Sequence, residues 1–258
     1  KLYRPPTNLH NRINERLEKQ IFEKADAVIA NTPENAARYL QRFPFAKDKI
    51  SIIPNGFDRE DLSTFVKGAN SKEFRIGYSG ALDKHDFPWR IALQAIKTLA
   101  EEAGKERVRF VHCGYLSKQV LSFLEQEGMT NLVEIHGQLP HEDAIKLTAQ
   151  SDMRLLLLYE NEYSTSIVPL KLYNYLVMNG PILAVAPESG RTASIIRDTN
   201  MGSIISPTRG VEAVFQALLK YFRDWERNLL SVEPNEQELC RYDRRSQTET
   251  LAKILQTF

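Results

Sequence analysis

Two cysteines among 258 residues, Cys113 and Cys240, are too few and too far apart for a disulfide framework, and neither forms a CxxC pair suggestive of zinc. A reducing, cytoplasmic setting is the expectation. Long apolar runs are missing as well. None nears the roughly 18 residues of a membrane-spanning helix, and the opening "KLYRPPTNLHNRINERLEKQ" is polar and charged, so neither an anchor nor a secretion leader is expected. There is no excess of either charge: 34 Lys and Arg stand against 33 Asp and Glu, a net +1. That balance argues against nucleic acid, whose binding draws on many phosphate contacts. No His pair has ligand spacing, no Asp-x-Asp follows a strand and no Gly-x-Ser-x-Gly elbow occurs, so no metal, cofactor or serine nucleophile is expected. Repeats and low-complexity tracts are absent too. The chain opens at Lys1 in mid-pattern, and is expected to be part of a longer protein.

What the chain does have is 42% hydrophobic residues, enough for one large domain or one domain and part of another. A helix is predicted over 10–24, then the strand "DAVIAN", then a helix opened by Thr32 as N-cap with Pro33 and Glu34 behind it. "KISIIPN" reads as a strand closing on the turn pair Asn55-Gly56, and the polar stretch "DREDLSTFVKGANSKE" reads as a linker. From Phe74 onward, short apolar runs alternate with helices: "FRIGYSG", 88–103, "RVRFVHCG", 117–127, "LVEIHG", 141–149, "MRLLLLY", 169–179, "PILAVA", 191–197 and "GSIISP". This alternation predicts an α/β fold, a doubly wound parallel sheet of Rossmann-like type. The segment "GVEAVFQALLKYFRDWERNLL" predicts one more amphipathic helix whose aromatics belong to the core, and a last helix is expected over 243–257.

In such a sheet, ligands bind beyond the carboxyl ends of the strands, so the loops there carry the candidates. "GYSGALDKHDF" brings Gly77, Ser79, Gly80, Ala81 and Lys84 to a strand end, where bare backbone and a lysine suit a phosphate, although turn geometry explains two glycines as well. Gly114 and Gly137 each close a strand end near a histidine and leave room for a flat ring. His112 and Cys113 are neighbours on a strand and so point to opposite faces, which excludes a chelating pair. The fourth loop, "YSTSIVPLKLYNYL", leads into a helix start around Ile167 to Leu170, where free N–H groups beside Ser164, Thr165 and Ser166 form an anion site. Lys171 opposes the helix dipole there unless an anion pairs with it. Asn174, three residues on, shares its face.

These residues, "ADAVIANTPENAARYL…KISIIPNGFD", "FRIGYSGAL", "HGQLPHEDAIKLTAQSDMRLLLLY" and "VPLKLYNYLVMNGPILAV", resemble the GT-B retaining glycosyltransferases of the group-1 type. The resemblance implies three regions: 1–62 as the tail of an acceptor-side domain with its linker, 63–235 as a nucleotide-sugar-binding domain, and 236–258 as helices crossing back. It implies donor contacts from Ser79, Gly80 and Ala81 to the diphosphate, from Gly137, Gln138 and Leu139 to the base, and from Ser166, Ile167 and Val168 to phosphate or sugar. Lys171 would join them. The family's two glutamates, seven residues apart, correspond here to Ser166 and Asn174, so both carboxylates are missing. An arginine common after the glycine loop is Ala81, with Lys84 and Arg90 as nearby basic residues. The implied partners are a nucleotide sugar and a glycan or lipid-linked acceptor, with peripheral membrane association expected through the absent N-terminal part at the inner face. No catalytic residue is assigned.

Overall fold

Six short strands lie side by side in one sheet, every one parallel to its neighbours: β3 (Phe74–Ser79), β4 (Val108–Cys113), β5 (Val133–Ile135), β6 (Met153–Leu157), β7 (Ile182–Val185) and β8 (Gly202–Ile205), in the order β5-β4-β3-β6-β7-β8. This is the doubly wound order of a Rossmann-like sheet, with its switch point between β3 and β6. The structure, a computed structural model, describes residues 7–59, 72–83, 88–161 and 164–258. Within these the chain divides into two compact units, Gly56–Asp243, which holds this sheet, and Lys1–Asn55 together with Arg244–Phe258. A boundary at 62/63 falls outside the described residues, as does most of the expected linker.

Both faces of the larger sheet are covered, which is why its central strands read as unbroken apolar runs. Along β6 and β7, Leu155, Leu157, Leu183 and Val185 turn into one core cluster, while Leu156, Ile182 and Ala184 turn into the other. The first cluster is roofed by α3 (Trp89–Ala103) and α8 (Gly210–Glu226), whose Phe222 meets Phe74 edge-on at 5.7 Å. The second takes α6 (Leu170–Tyr175) and α7 (Arg191–Asp198), with Tyr173 against Tyr242. The aromatics of the 210–226 helix are core, as their spacing implied.

Two further helices complete this unit's flank, α4 (Lys118–Gln126) and α5 (His141–Ala149), and the short α9 (Glu236–Leu239) follows α8. One element departs from expectation. The helix expected over 169–179 is α6 and spans only Leu170–Tyr175. The cause lies on β6: the fully buried Arg154 donates to the carbonyl oxygens of Met178, Asn179 and Gly180, so these turn toward it and leave the helical path.

The smaller unit has α1 (Asn8–Lys24), β1 (Val28–Ala30), α2 (Pro33–Arg42), β2 (Ile50–Ile52) and α10 (Arg244–Leu255), with β1 and β2 parallel. Thr32 caps α2 as expected, its hydroxyl accepting from the Asn35 N–H at 3.1 Å. The core here is small: Phe22, Phe43 and Ala46. The remaining apolar positions of α1, Leu9, Ile13, Leu17 and Ile21, are exposed. Among the described residues, no helix is long and apolar enough to cross a membrane.

Candidate functional site

Beyond the carboxyl ends of β3, β4 and β6 lies a cavity of about 530 Å³, beside the switch point. Ser79, Gly80 and Ala81 line it from β3, Gly114 from β4, Gln138 and Leu139 from the loop after β5, and Lys171 and Asn174 from α6. The sheet topology thus collects eight of the sequence candidates from four separate loops. Cys113, Tyr115, His141 and Tyr175 complete its polar lining.

Close backbone packing shapes the floor. Gly80 has φ +127° and Gly114 φ +134°, both in the region that disfavours a side chain. A Cβ on Gly114 would overlap the Gly80 carbonyl oxygen, so the two turns nest only as glycines. Gly80 N–H donates to Cys113 O at 2.8 Å, and Gly114 N–H to Gly137 O at 2.6 Å. Ser79 is held by Tyr175, whose hydroxyl accepts from the Ser79 N–H at 3.1 Å and lies 3.2 Å from its Oγ.

Lys171 is the cavity's distinctive charge. Its Nζ lies 4.0 Å from the centroid of the Tyr78 ring, and among the described residues no carboxylate pairs with it. Burial pushes its pKa down to about 8. Neighbouring groups shift in keeping with the same dry setting: His112 is pushed down to about 4 by burial, Tyr175 up to about 12, and the Cys113 thiol upward. Among the described residues no carboxylate lines the cavity, so an anion entering it meets the Lys171 ammonium beside neutral groups.

Other candidates are placed elsewhere. Gly77 serves packing, because a Cβ there would come within 2.6 Å of Ser151 Oγ. Gly137 accepts from Gly114 but does not line the cavity. Ser166, Ile167 and Val168 also stand outside its lining: Ile167 N–H donates to Ser164 O at 3.3 Å, and Ile167 O accepts from Thr192 Oγ1 at 2.8 Å, tying this turn to α7. The row of free amides expected there is therefore already engaged at Ile167. Ser164 Oγ is likewise spent locally, on Asn161 O at 2.6 Å. Arg90 lies over the Trp89 and Phe123 rings at 4.9 and 4.6 Å instead of reaching the cavity. Lys84 falls outside the described residues.

Sequence reasoning missed Tyr78, Tyr175 and His141. Tyr175 had a legible signal, one helical turn from Lys171; Tyr78, inside an apolar strand, had none. A larger cavity of about 670 Å³ opens at the opposite, amino-terminal ends of β6 to β8. Its charges serve the fold: Arg59 pairs with Glu236 at 2.9 Å, and Asp152 accepts from the Arg75 N–H at 2.8 Å.

A six-stranded parallel sheet in this order, with a cavity beside its switch point, defines a Rossmann-like domain. Among solved structures the chain is similar to Anabaena HepE in complex with UDP-glucose, at 17% identity and TM-score 0.66 over 100% of this chain and 71% of that one. It is also similar to sucrose-phosphate synthase from Thermosynechococcus elongatus, at 15% identity and TM-score 0.59 over 95% and 61%. A family model, Glycosyltransferase Family 4, matches residues 1–61. A D-inositol 3-phosphate glycosyltransferase from Corynebacterium urealyticum is 25% identical over 53% of this chain and 36% of its own length. The fold is shared with these glycosyltransferase structures, and the family model over residues 1–61 agrees with the glycosyltransferase resemblance read from the motifs. The chain spans little more than a third of the curated relative it matches.

Proposed function

We propose that Gly56–Asp243 is the donor half of a glycosyltransferase, binding a nucleotide sugar with its diphosphate at Lys171 and the Gly80 turn. The observation that carries this reading is the cavity itself: among the described residues, no carboxylate in its lining, a lysine without an acidic partner, and two glycine turns at its floor. The UDP-glucose complex of a protein with the same fold supports the choice of ligand class. In this reading Gln138 and Leu139 meet the base, and Asn174 hydrogen-bonds a ribose hydroxyl. The reaction we propose moves a sugar from the nucleoside diphosphate to a hydroxyl of a glycan or lipid-linked acceptor, with retention, in bacterial cell-surface glycan synthesis. The departing diphosphate would be stabilised by amides and Lys171 without a metal. A cytoplasmic location accords with the sparse cysteines.

A second reading has its own support. Both family glutamates are replaced, by Ser166 and Asn174, so a module that binds the nucleotide without transferring sugar fits the same cavity. Binding is common to both readings and suits a chain spanning part of its relatives' length. Calorimetric titration with UDP, GDP and ADP is expected to show binding of at least one, weakened about tenfold or more by Lys171→Ala, the loss of one charge-assisted contact. A folded protein that binds none of the three overturns the donor assignment.

A further inference from the structure

Two buried rings stand behind the Lys171 ammonium. Tyr78 on β3 is 1% exposed, and its register partner on β4 is His112, at 0%. Their rings stack at 5.8 Å and 14°. His112 Nε2 lies 2.9 Å from Gly80 O. A carbonyl only accepts, so Nε2 carries the proton and Nδ1 keeps its lone pair. Nδ1 is buried and has no hydrogen-bond partner among the described residues, so burial disfavours a second proton and the imidazole stays neutral. The same hydrogen bond fixes the Gly80 turn, where a Cβ would come within 2.5 Å of Lys171 Nζ.

We propose that Tyr78 and His112 form a neutral aromatic seat that positions the Lys171 ammonium over the Gly80 turn, for transfer to an entering anionic group. Both are positioning residues. The identity of the anion as a nucleoside diphosphate rests on the donor reading above; the seat itself does not. A ring face holds a cation far more weakly than a buried carboxylate would. A diphosphate therefore captures the ammonium without first breaking an ion pair, while the ring keeps the ammonium from swinging to solvent in the empty site. A neutral His112 is part of the arrangement, because an imidazolium behind Tyr78 would add a second positive charge near the ammonium.

Among the described residues, the titratable groups around Lys171 are Tyr78 on β3 and Asp83 after it, His112 and Cys113 on β4 and Tyr115 after it, His141 on α5 and Tyr175 on α6. Lys171→Met separates its titration from theirs. The experiment follows the Lys171 Cε resonance by carbon NMR between pH 6 and 11, without nucleotide, assigned by its disappearance in Lys171→Met. A midpoint near 8 is expected. Tyr78→Phe keeps the ring face and should leave it in place. A fluorinated phenylalanine at position 78 keeps the shape but removes the ring's negative face, and should lower the midpoint by about half a unit. In parallel, UDP affinity should fall with rising pH above the midpoint, and the fall should begin earlier in the fluorinated variant. A midpoint indifferent to fluorination overturns the seat. If that happens while UDP binding still depends on Lys171, the donor reading stands alone; if no nucleotide binds but the midpoint moves, the seat stands and the donor reading falls.

Discussion

An ammonium half-buried beside Tyr78 and Cys113, with no carboxylate paired to it among the described residues, gives up hydration that an incoming anion restores. Its pKa, lowered from 10.5 to about 8, is the mark of that cost. Since the unfolded chain holds the proton more tightly, the group opposes folding below pH 8, and the opposition fades as pH rises toward 10.5. Removing the charge while keeping an apolar stem should therefore stabilise the empty protein. Lys171→Met is expected to gain about 1–2 kcal/mol at pH 7, raising the melting temperature by a few degrees, and at the same time to lose nucleotide binding. Thermal unfolding with and without UDP measures both. A variant less stable than the parent at pH 7 would show that Lys171 is held for structural reasons.

At the scale of single elements, α6 shows where the chain was legible and where it was not. The strands, α5 and the Thr32 cap follow from local signals: period, turn residues and an N-cap before Pro33. The end of α6 does not, because Arg154, on β6, takes the carbonyls of 178–180, and contacts between residues 24 to 26 apart in sequence leave no local trace. Similarly, the short spacing from Ser166–Val168 to Lys171 suggested one site, whereas Thr192 draws that turn toward α7. The site residues that could be read were those on glycine turns and on the exposed face of α6; Tyr78, equally close to Lys171, looks like any other core aromatic. Arg154 thus ends the helix that carries Lys171 and Asn174. Arg154→Ala would leave three carbonyls without their donor and a void beneath them, at an expected cost of about 3–5 kcal/mol. Denaturant unfolding reads the loss. Arg154→Lys, with one charge but no fork, should recover only part of it.

Across Gly56–Asp243 as a whole, burial lowers the pKa of both His112 and Lys171, and their windows do not overlap. His112 drops from 6.5 to about 4. Between those values the unfolded chain binds a proton that the folded one refuses, so stability is complete above pH 6.5 and is lost as pH falls through the folded value. The full difference corresponds to about 3 kcal/mol, an upper bound for a group whose Nε2 stays hydrogen-bonded to Gly80. The loss begins above the carboxylate range, well before Glu134, whose pKa its partners Arg75 and His136 hold down, is protonated. Lys171 adds a second rise between 8 and 10.5. The unit is thus expected to be more stable at pH 9 than at pH 7, and more stable at pH 7 than at pH 5. His112→Gln, whose amide can still donate to the Gly80 carbonyl, should flatten the acid limb between pH 6.5 and 4, and Lys171→Met should flatten the alkaline one. Scanning calorimetry of the parent and both variants across pH 4 to 10 measures these slopes. An acid limb of equal steepness in the parent and in His112→Gln would assign it to the carboxylates instead, and with it would go the picture of a buried, singly protonated imidazole beneath Tyr78.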